Sequence, residues 1–335
     1  MCVLNSGEGM RFVDELRRIG IDVTVHSAGP DFNPALVIAL RAEARDYRPD
    51  IVHTHLVHAD THALPVARSL GVATVSSMHA TPAFYRRAPL RQVGWATGRL
   101  AQRRIAISEH VARFIREIGL APENQLRVVH YGIDADAVVG VAPRDLRAQL
   151  ALDDDDIVVG IASRLIPAKG HDLLFTAFAS AAQRDSRLKL LVAGDGPERG
   201  SLETLAAKSC PPESVHFLGF VDDVGSFMHA FDILAFPTQP EFGEGFGLAV
   251  LEAMAARKPV VATAVASLPE VVDDGVTGIL VDPSSPVALE SALLRIAADP
   301  ELRDRMGAAG ARRARDVFSL ESMVDGTLAV YDELL

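Results

Sequence analysis

The sequence predicts an α/β protein built from two doubly wound parallel sheets, and three observations predict it. Short runs rich in Val, Ile and Leu recur along the whole chain: CVLN, DVTV, DIVH, ATVSS, RIAIS and RVVHYG, then DIVVGIAS, LKLLVAG, VHFLG, DILAFP, PVVAT and GILV. Runs that are apolar on both faces are what a parallel sheet covered by helices requires, and each set reads as one such sheet. Helical patterns fill the gaps, among them MRFVDELRRIG, DLLFTAFASAAQR and GLAVLEAMAAR, so strand and helix alternate throughout. The chain's 335 residues exceed the ~250 to 300 at which a single hydrophobic core stops growing.

These patterns place one Rossmann-like domain at residues 1–140, a linker at 141–155, a second Rossmann-like domain at 156–316 and a closing helix at 317–335. The linker belongs in DADAVVGVAPRDLRAQLALDDDD, which loses the strand pattern, carries a proline and ends in four aspartates. The acidic run reads as solvated linker rather than as a metal site, since nothing flanking it supplies further ligands. Domain closure is expected to hinge near residues 133–155 and near the start of the last helix.

Composition narrows the partners. A net charge of -11 and a pI near 5.5 argue against a general nucleic-acid binder, which needs a positive surface. Two cysteines, Cys2 and Cys210, give no disulfide framework, and no charged-then-apolar leader opens the sequence. A reducing cytoplasm is the simplest setting. The longest apolar runs, such as LLFTAFASAA at 173–182, fall short of the ~20 residues that span a bilayer. One segment departs from the acidic average: Tyr85 to Arg104 holds six arginines, one tryptophan and no acid. A basic amphipathic stretch with an aromatic anchor suits an anionic lipid surface at the inner face of a membrane or a phosphorylated acceptor; a solvated arginine face is the plainer alternative.

Ligands of open parallel sheets bind beyond the carboxyl ends of the strands, so the loops there carry the chemistry. GIASRLIPAKGHD sets Arg164 just after a strand and Lys169 at the start of a helix, in a chain with four lysines against 29 arginines. Two such cations suit a diphosphate, Arg by forked hydrogen bonds and Lys as a point charge. In EFGEGFGLAVLE, glycines at 243, 245 and 247 let backbone approach a ligand closely, and a helix start favours negative charge. Read as one helix, the eight residues from Glu244 to Glu252 rise ~12 Å and return to the same face. Hydrolytic carboxylate pairs stand ~5 to 9.5 Å apart, so this spacing fits two hydroxyl clamps along a nucleotide sugar better than an acid and base.

The runs SRLIPAKG, AGDGPER, VHFLGFVDDV, PTQPEFGEGFGLAVLEAMAARKPVVAT and LPEVVDDGVTGILV, with RPDIVHTH, SSMHAT, RIAISEHV and VVHYGID upstream, resemble the retaining glycosyltransferases of family 4. That resemblance covers nearly the whole chain. It implies the GT-B fold, in which two Rossmann-like domains face each other across a cleft and the C-terminal helix crosses back. It implies a transferase that moves a sugar from a nucleoside-diphosphate sugar (UDP or GDP) to a hydroxyl acceptor, lipid-linked, saccharide or small-molecule. Products of that kind belong to polysaccharide or glycolipid biosynthesis.

Retention and metal independence are likewise implied, with the leaving phosphate assisting deprotonation of the acceptor; no cofactor is expected. Glu244 would contact the donor sugar and Glu252 the ribose hydroxyls. The amides of Gly245, Phe246, Gly247 and Leu248 would cradle sugar and phosphate. Arg164 and Lys169 would hold the diphosphate and neutralise the leaving group. His79 would touch the donor near the reacting carbon, a structural histidine being its alternative. Phe220 and Val221 would read the base through backbone, with Asp223 a guanine partner; uridine and guanosine both stay open. The histidines His53, His55, His58 and His62 match the family's metal-free PDIVHTH signature, so no metal is expected there.

The opening CVLNSGEGMRFVDELRRIGIDVTV resembles the family's second strand-helix unit, with SGEG a degenerate counterpart of its glycine loop. This implies a start lacking ~30 residues, about one strand and helix. Two other functions remain open: a sugar-nucleotide epimerase of similar architecture, and a non-catalytic nucleotide-sugar-binding protein.

Overall fold

A computed structural model describes residues 1–5, 11–27, 32–140, 145–241 and 244–335. The chain divides into two compact units: Met1–Ile107 with Val111–Val129 and Gly326–Leu335, and Ser108–His110 with His130–Asp325. Each of the apolar runs read from the sequence forms a strand, and every strand pairing is parallel.

The first unit carries β1 (Cys2–Asn5), α1 (Arg11–Arg18), β2 (Thr24–Ser27), α2 (Pro34–Tyr47), β3 (Ile51–His55), α3 (Leu56–Ser69), β4 (Ala73–Met78), α4 (Leu90–Leu100), β5 (Arg103–Ala106), α5 (Glu109–Ile118) and β6 (Leu126–Val128). Its strands do not form the single sheet expected. Among the described residues β1 and β2 pair with each other alone, while β3, β4, β5 and β6 form a separate sheet in that order. An apolar run reports that a strand will form, not which edge it joins. The SGEG stretch lies outside the described residues.

Inside this unit a buried polar knot replaces apolar packing. Asp60 on α3 is 3% exposed and accepts from Thr54 at 2.5 Å, Ser76 at 2.9 Å and the guanidinium of Arg104 at 3.0 Å. Arg104, 0% exposed, therefore belongs to the core and not to the basic surface segment expected from Tyr85 to Arg104. Tyr85 is buried too, and Arg103 pairs with Glu333. The exposed residues of the stretch include Arg86, Arg87, Leu90, Arg91, Trp95 and Arg99, with the Arg99 guanidinium 3.8 Å over the Trp95 ring. The chain's last residues belong to this unit: Tyr331 meets His53, and Arg103 and Arg127 together hold the Glu333 carboxyl down at about 2.

The second unit carries α6 (Ala135–Val139), α7 (Leu146–Gln149), β7 (Ile157–Ala162), α8 (His171–Arg184), β8 (Leu188–Ala193), α9 (Arg199–Ser209), β9 (Val215–Gly219), α10 (Val224–Ala230), β10 (Ile233–Phe236), α11 (Leu248–Ala255), β11 (Val260–Thr263), α12 (Leu268–Val271), β12 (Gly278–Val281), α13 (Pro286–Ala298), α14 (Pro300–Val317) and the start of α15 (Leu320–Asp332), whose residues from Gly326 on belong to the first unit. One six-stranded sheet runs β12-β11-β10-β7-β8-β9. This is the doubly wound order, and it reverses direction between β7 and β10. Ile157, Val159 and Ile161 of β7, Phe175 and Phe178 of α8 and Leu289, Leu293 and Ile296 of α13 fill one core against it. Of the four aspartates read as solvated, Asp153 to Asp155 are exposed, but Asp156 is 9% exposed. It accepts from the Asp153 amide and stands 3.8 Å from Lys189.

No described helix is long and apolar enough to cross a membrane.

Candidate active site

The sheet order reverses between β7 and β10, and Arg164, Lys169 and Glu244 lie in the loops that follow these two strands. A cavity of about 250 Å³ is lined by Ser163, Arg164, Gly194, Phe220, Val221 and Glu252, among others. Arg164 follows β7 by two residues, so the strand end fixes where its stem leaves the sheet. Lys169 ends a 3-10 turn, Pro167–Lys169, that delivers the chain into α8. The turn closes at Gly170, whose φ of 66° is left-handed; a Cβ there would stand 2.0 Å from the Pro237 carbonyl. Only glycine lets the two loops after β7 and β10 approach this closely.

Glu244 lies in the loop before α11, not on the helix, because α11 begins at Leu248 after Gly247 turns left-handed with φ 87°. The expectation that both glutamates share a helix face is thus corrected: only Glu252 sits on the helix. Glycine in that conformation ends the loop and cannot continue helical phase, so the ~12 Å rise does not apply. Glu252 faces the cavity and burial raises its carboxyl above the usual range. Glu244 Oε2 accepts from Lys169 Nζ at 2.5 Å, a pair with both side chains largely shielded. Phe242 and Gly243 of the same loop lie outside the described residues.

Backbone and neighbours hold that loop. Ser267 Oγ donates to the Glu244 carbonyl at 3.1 Å and Ser108 Oγ to the Gly245 carbonyl at 3.1 Å. The Phe246 ring is 2% exposed and lies 5.5 to 5.8 Å from the rings of Phe318, His130 and Tyr131. Its amide, not its ring, is what the loop can offer a ligand. Among the described residues no side chain caps α8 or α11, whereas Asp223, Ser285 and Asp299 cap α10, α13 and α14. The N-caps of α8 and α11 are Gly170 and Gly247, which carry no side chain that could take up the first amides.

Asp223 is placed differently from its neighbours. Its carboxylate accepts from the Ser226 amide at 2.9 Å and from Ser226 Oγ at 2.6 Å. It caps α10 while Phe220 and Val221 line the cavity.

In the first unit, His79 follows β4 and His55 ends β3, and the adjacency of these strands brings the rings together. His55 Nδ1 and His79 Nε2 share a hydrogen bond of 2.9 Å, with ring centroids 5.1 Å apart. His53 stacks on His55 at 4.4 Å and is held by Tyr331 at 2.6 Å and Ser77 at 2.8 Å. Burial lowers His79 to about 4 and His53 to about 3, and lowers His55 as well, so the stack is neutral near pH 7. His62 has both ring nitrogens on backbone, the Asn33 amide and the His58 carbonyl. Sequence reasoning missed the pairing of His55 with His79, although their positions at the ends of consecutive strands were a usable signal. Ser108, Ser163 and Ser267 gave none, being small polar residues in loops.

Two family profiles cover this chain almost end to end: Glycosyltransferase Family 4 over residues 2–137 and Glycosyl transferases group 1 over residues 143–313. The chain belongs to this glycosyltransferase family. The transferase is 31% identical to the D-inositol 3-phosphate glycosyltransferase of Thermobifida fusca over 332 residues, 88% of this chain and 73% of that one. It is 30% identical to the alpha-D-kanosaminyltransferase of Streptomyces kanamyceticus over 223 residues, 65% of this chain and 57% of that one. Among solved structures, Anabaena HepE in complex with UDP matches with a TM-score of 0.85 at 23% identity, covering 99% of this chain and 91% of HepE. Sucrose-phosphate synthase from Thermosynechococcus elongatus matches at 0.80 and 24%, covering 99% and 95%. The fold is GT-B, as the sequence predicts.

Proposed function

We propose that the transferase moves a sugar from a nucleoside-diphosphate sugar to a hydroxyl acceptor with retention at the anomeric carbon and without a metal. What carries the reading is the crevice at the β7/β10 reversal, where Arg164, Lys169, two open helix starts and two carboxylates gather in one unit. Cations and helix amides match a diphosphate, and carboxylates repel it, so Glu244 and Glu252 serve hydroxyls on either side. Glu252, in the cavity with Phe220 and Val221, takes the ribose; Glu244, on the α11 loop, takes the sugar and aligns Lys169.

As the glycosidic bond breaks, charge develops on the leaving diphosphate. Arg164 and Lys169 stabilise it in place, together with the amides of Gly245, Phe246, Gly247 and Leu248. The acceptor hydroxyl attacks from the face the diphosphate leaves, and its proton passes to a leaving phosphate oxygen. This fits a site whose carboxylates are assigned to hydroxyl binding. His79, oriented by His55, is assigned to the donor sugar on the family pattern. Asp223 keeps a base-reading role only by releasing Ser226.

The UDP bound by HepE makes UDP-sugars the first donors to try, with GDP-sugars beside them. The inositol phosphate named for the Thermobifida relative is the first acceptor. Exposed Arg87, Arg91 and Arg99 beside Trp95 would suit a phosphate on that acceptor or an anionic lipid surface. Incubating the protein with each donor in a chelator, and following nucleoside diphosphate release and product anomer by nuclear magnetic resonance, tests the reading. Release of UDP or GDP with an α-linked product from an α-donor is expected. Interconversion of donor epimers without release would favour an epimerase, and binding without turnover of any donor a scaffold.

A further inference from the structure

The one place among the described residues where cysteine, histidine and carboxylate ligand atoms converge is far from the transfer chemistry in sequence, on the isolated β1–β2 pair. Cys2 begins β1, His26 lies on β2 and Glu43 lies on α2. Their ligand atoms all stand within 4.8 Å of one another. We propose that Cys2, His26 and Glu43 bind a divalent cation of the zinc class and staple the two-stranded sheet to α2.

Geometry supports the set. Cys2 Sγ donates to Glu43 Oε2 at 2.8 Å, and His26 Nε2 stands 3.1 Å from the same oxygen. Zinc bonds of ~2.0 Å to N and O and ~2.3 Å to S place neighbouring ligands of a tetrahedron ~3.3 to 3.6 Å apart. Small side-chain adjustments therefore admit the ion between these atoms. A second observation comes from His26: its Nε2 is closed off from solvent and makes no aligned hydrogen bond, even with the carboxylate beside it. A ring nitrogen closed off from solvent beside a thiol and a carboxylate is satisfied when its lone pair binds a metal. Thiolate, imidazole and carboxylate together suit zinc and disfavour magnesium and calcium, which take oxygen alone. Three protein ligands leave the fourth position to water.

The thiol must give up its proton. The Cys2 thiol donates its proton to Glu43, and a cation that takes the sulfur displaces that proton. One Zn²⁺ enters, one proton leaves and nothing is oxidised or reduced. A two-stranded sheet is marginal by itself, and the apolar cluster near it has only Leu36, Leu40 and Val66 fully buried. A cross-link between β1, β2 and α2 supplies what that small core lacks.

The site is independent of the transfer chemistry, so its test is too. Co²⁺ added to the reduced, chelator-stripped full chain should give the near-ultraviolet thiolate-to-cobalt band, and Zn²⁺ should abolish the band and release about one proton per chain. Zn²⁺ in hundredfold excess over its Kd should raise the melting temperature by roughly 5 °C, with Mg²⁺ without effect. Cys2→Ser and His26→Ala should weaken Zn²⁺ binding at least ~100-fold and remove the band, and Glu43→Gln should weaken it ~10-fold. Absence of the cobalt band in the wild-type chain would overturn the proposal whatever the variants do. A band that survives Cys2→Ser and disappears in Cys210→Ser would overturn it as well.

Discussion

The two units solve the same architectural problem with different materials. The second unit keeps one six-stranded sheet and puts charged side chains at its strand reversal, two cations and two carboxylates, beside helix starts left uncapped. In the first unit the described strands form two sheets, the strand ends carry neutral histidines stacked on one another, and Asp60 and Arg104 form a buried knot. Charge that must meet a diphosphate is poised at a site; charge that only holds the fold is buried and paired. Substitutions at the Asp60–Arg104 knot should therefore cost stability, and substitutions at the β7/β10 reversal should cost turnover.

The largest expected effect is on the knot. Asp60→Ala leaves the Arg104 guanidinium buried without its carboxylate and should cost about 3–5 kcal/mol, read as a lowered urea midpoint. Arg164→Ala or Lys169→Ala should instead cost ~100- to 1000-fold in kcat with a melting temperature close to wild type. If Lys169→Ala unfolded the protein as readily as Asp60→Ala, the division between the units would fail.

Next in size is Glu252→Ala, expected to raise the donor KM ~10- to 100-fold through lost charge-assisted hydrogen bonds. Acid should then distinguish the histidine stack. His79 and His53 have folded values of about 4 and about 3 against an ordinary 6.5. Above pH 6.5 neither state is charged; below it the unfolded chain takes up protons that the folded stack refuses. Stability should thus fall as pH drops from 6.5 toward about 4, and His79→Ala should flatten that fall in melts recorded across the range. The smallest effect is on the surface: Trp95→Ala should leave donor hydrolysis unchanged within ~2-fold and alter only transfer to an anionic acceptor, by up to about tenfold.

Much of the second unit is legible in the sequence because its ligand chemistry demands particular residues at particular strand ends. Arg164, Lys169 and Gly247 each stand where a strand stops or a helix starts, with Glu252 one turn into α11. The helix phase drawn from Glu244 to Glu252 failed because Gly247 ends the loop before the helix begins, and a glycine can end a helix pattern as easily as sit in one. In the first unit the partners are distant along the chain: His53 meets Tyr331 across 278 residues, and Arg104 meets Asp60 across 44. Periodicity reports which face of an element is apolar and carries nothing about such pairings. The same limit hid the burial of Arg104 inside a segment that reads as basic surface.

The central assignment, Glu252 to the ribose and Glu244 to the sugar, is tested most directly by calorimetric titration of UDP, without any sugar, into the wild type, Glu252→Ala and Glu244→Gln. UDP carries the ribose and phosphates alone. Its affinity should fall ~10- to 100-fold in Glu252→Ala and should not weaken in Glu244→Gln, which keeps UDP binding while transfer is lost. Wild-type UDP affinity in Glu252→Ala, or an equal loss in both variants, would contradict it.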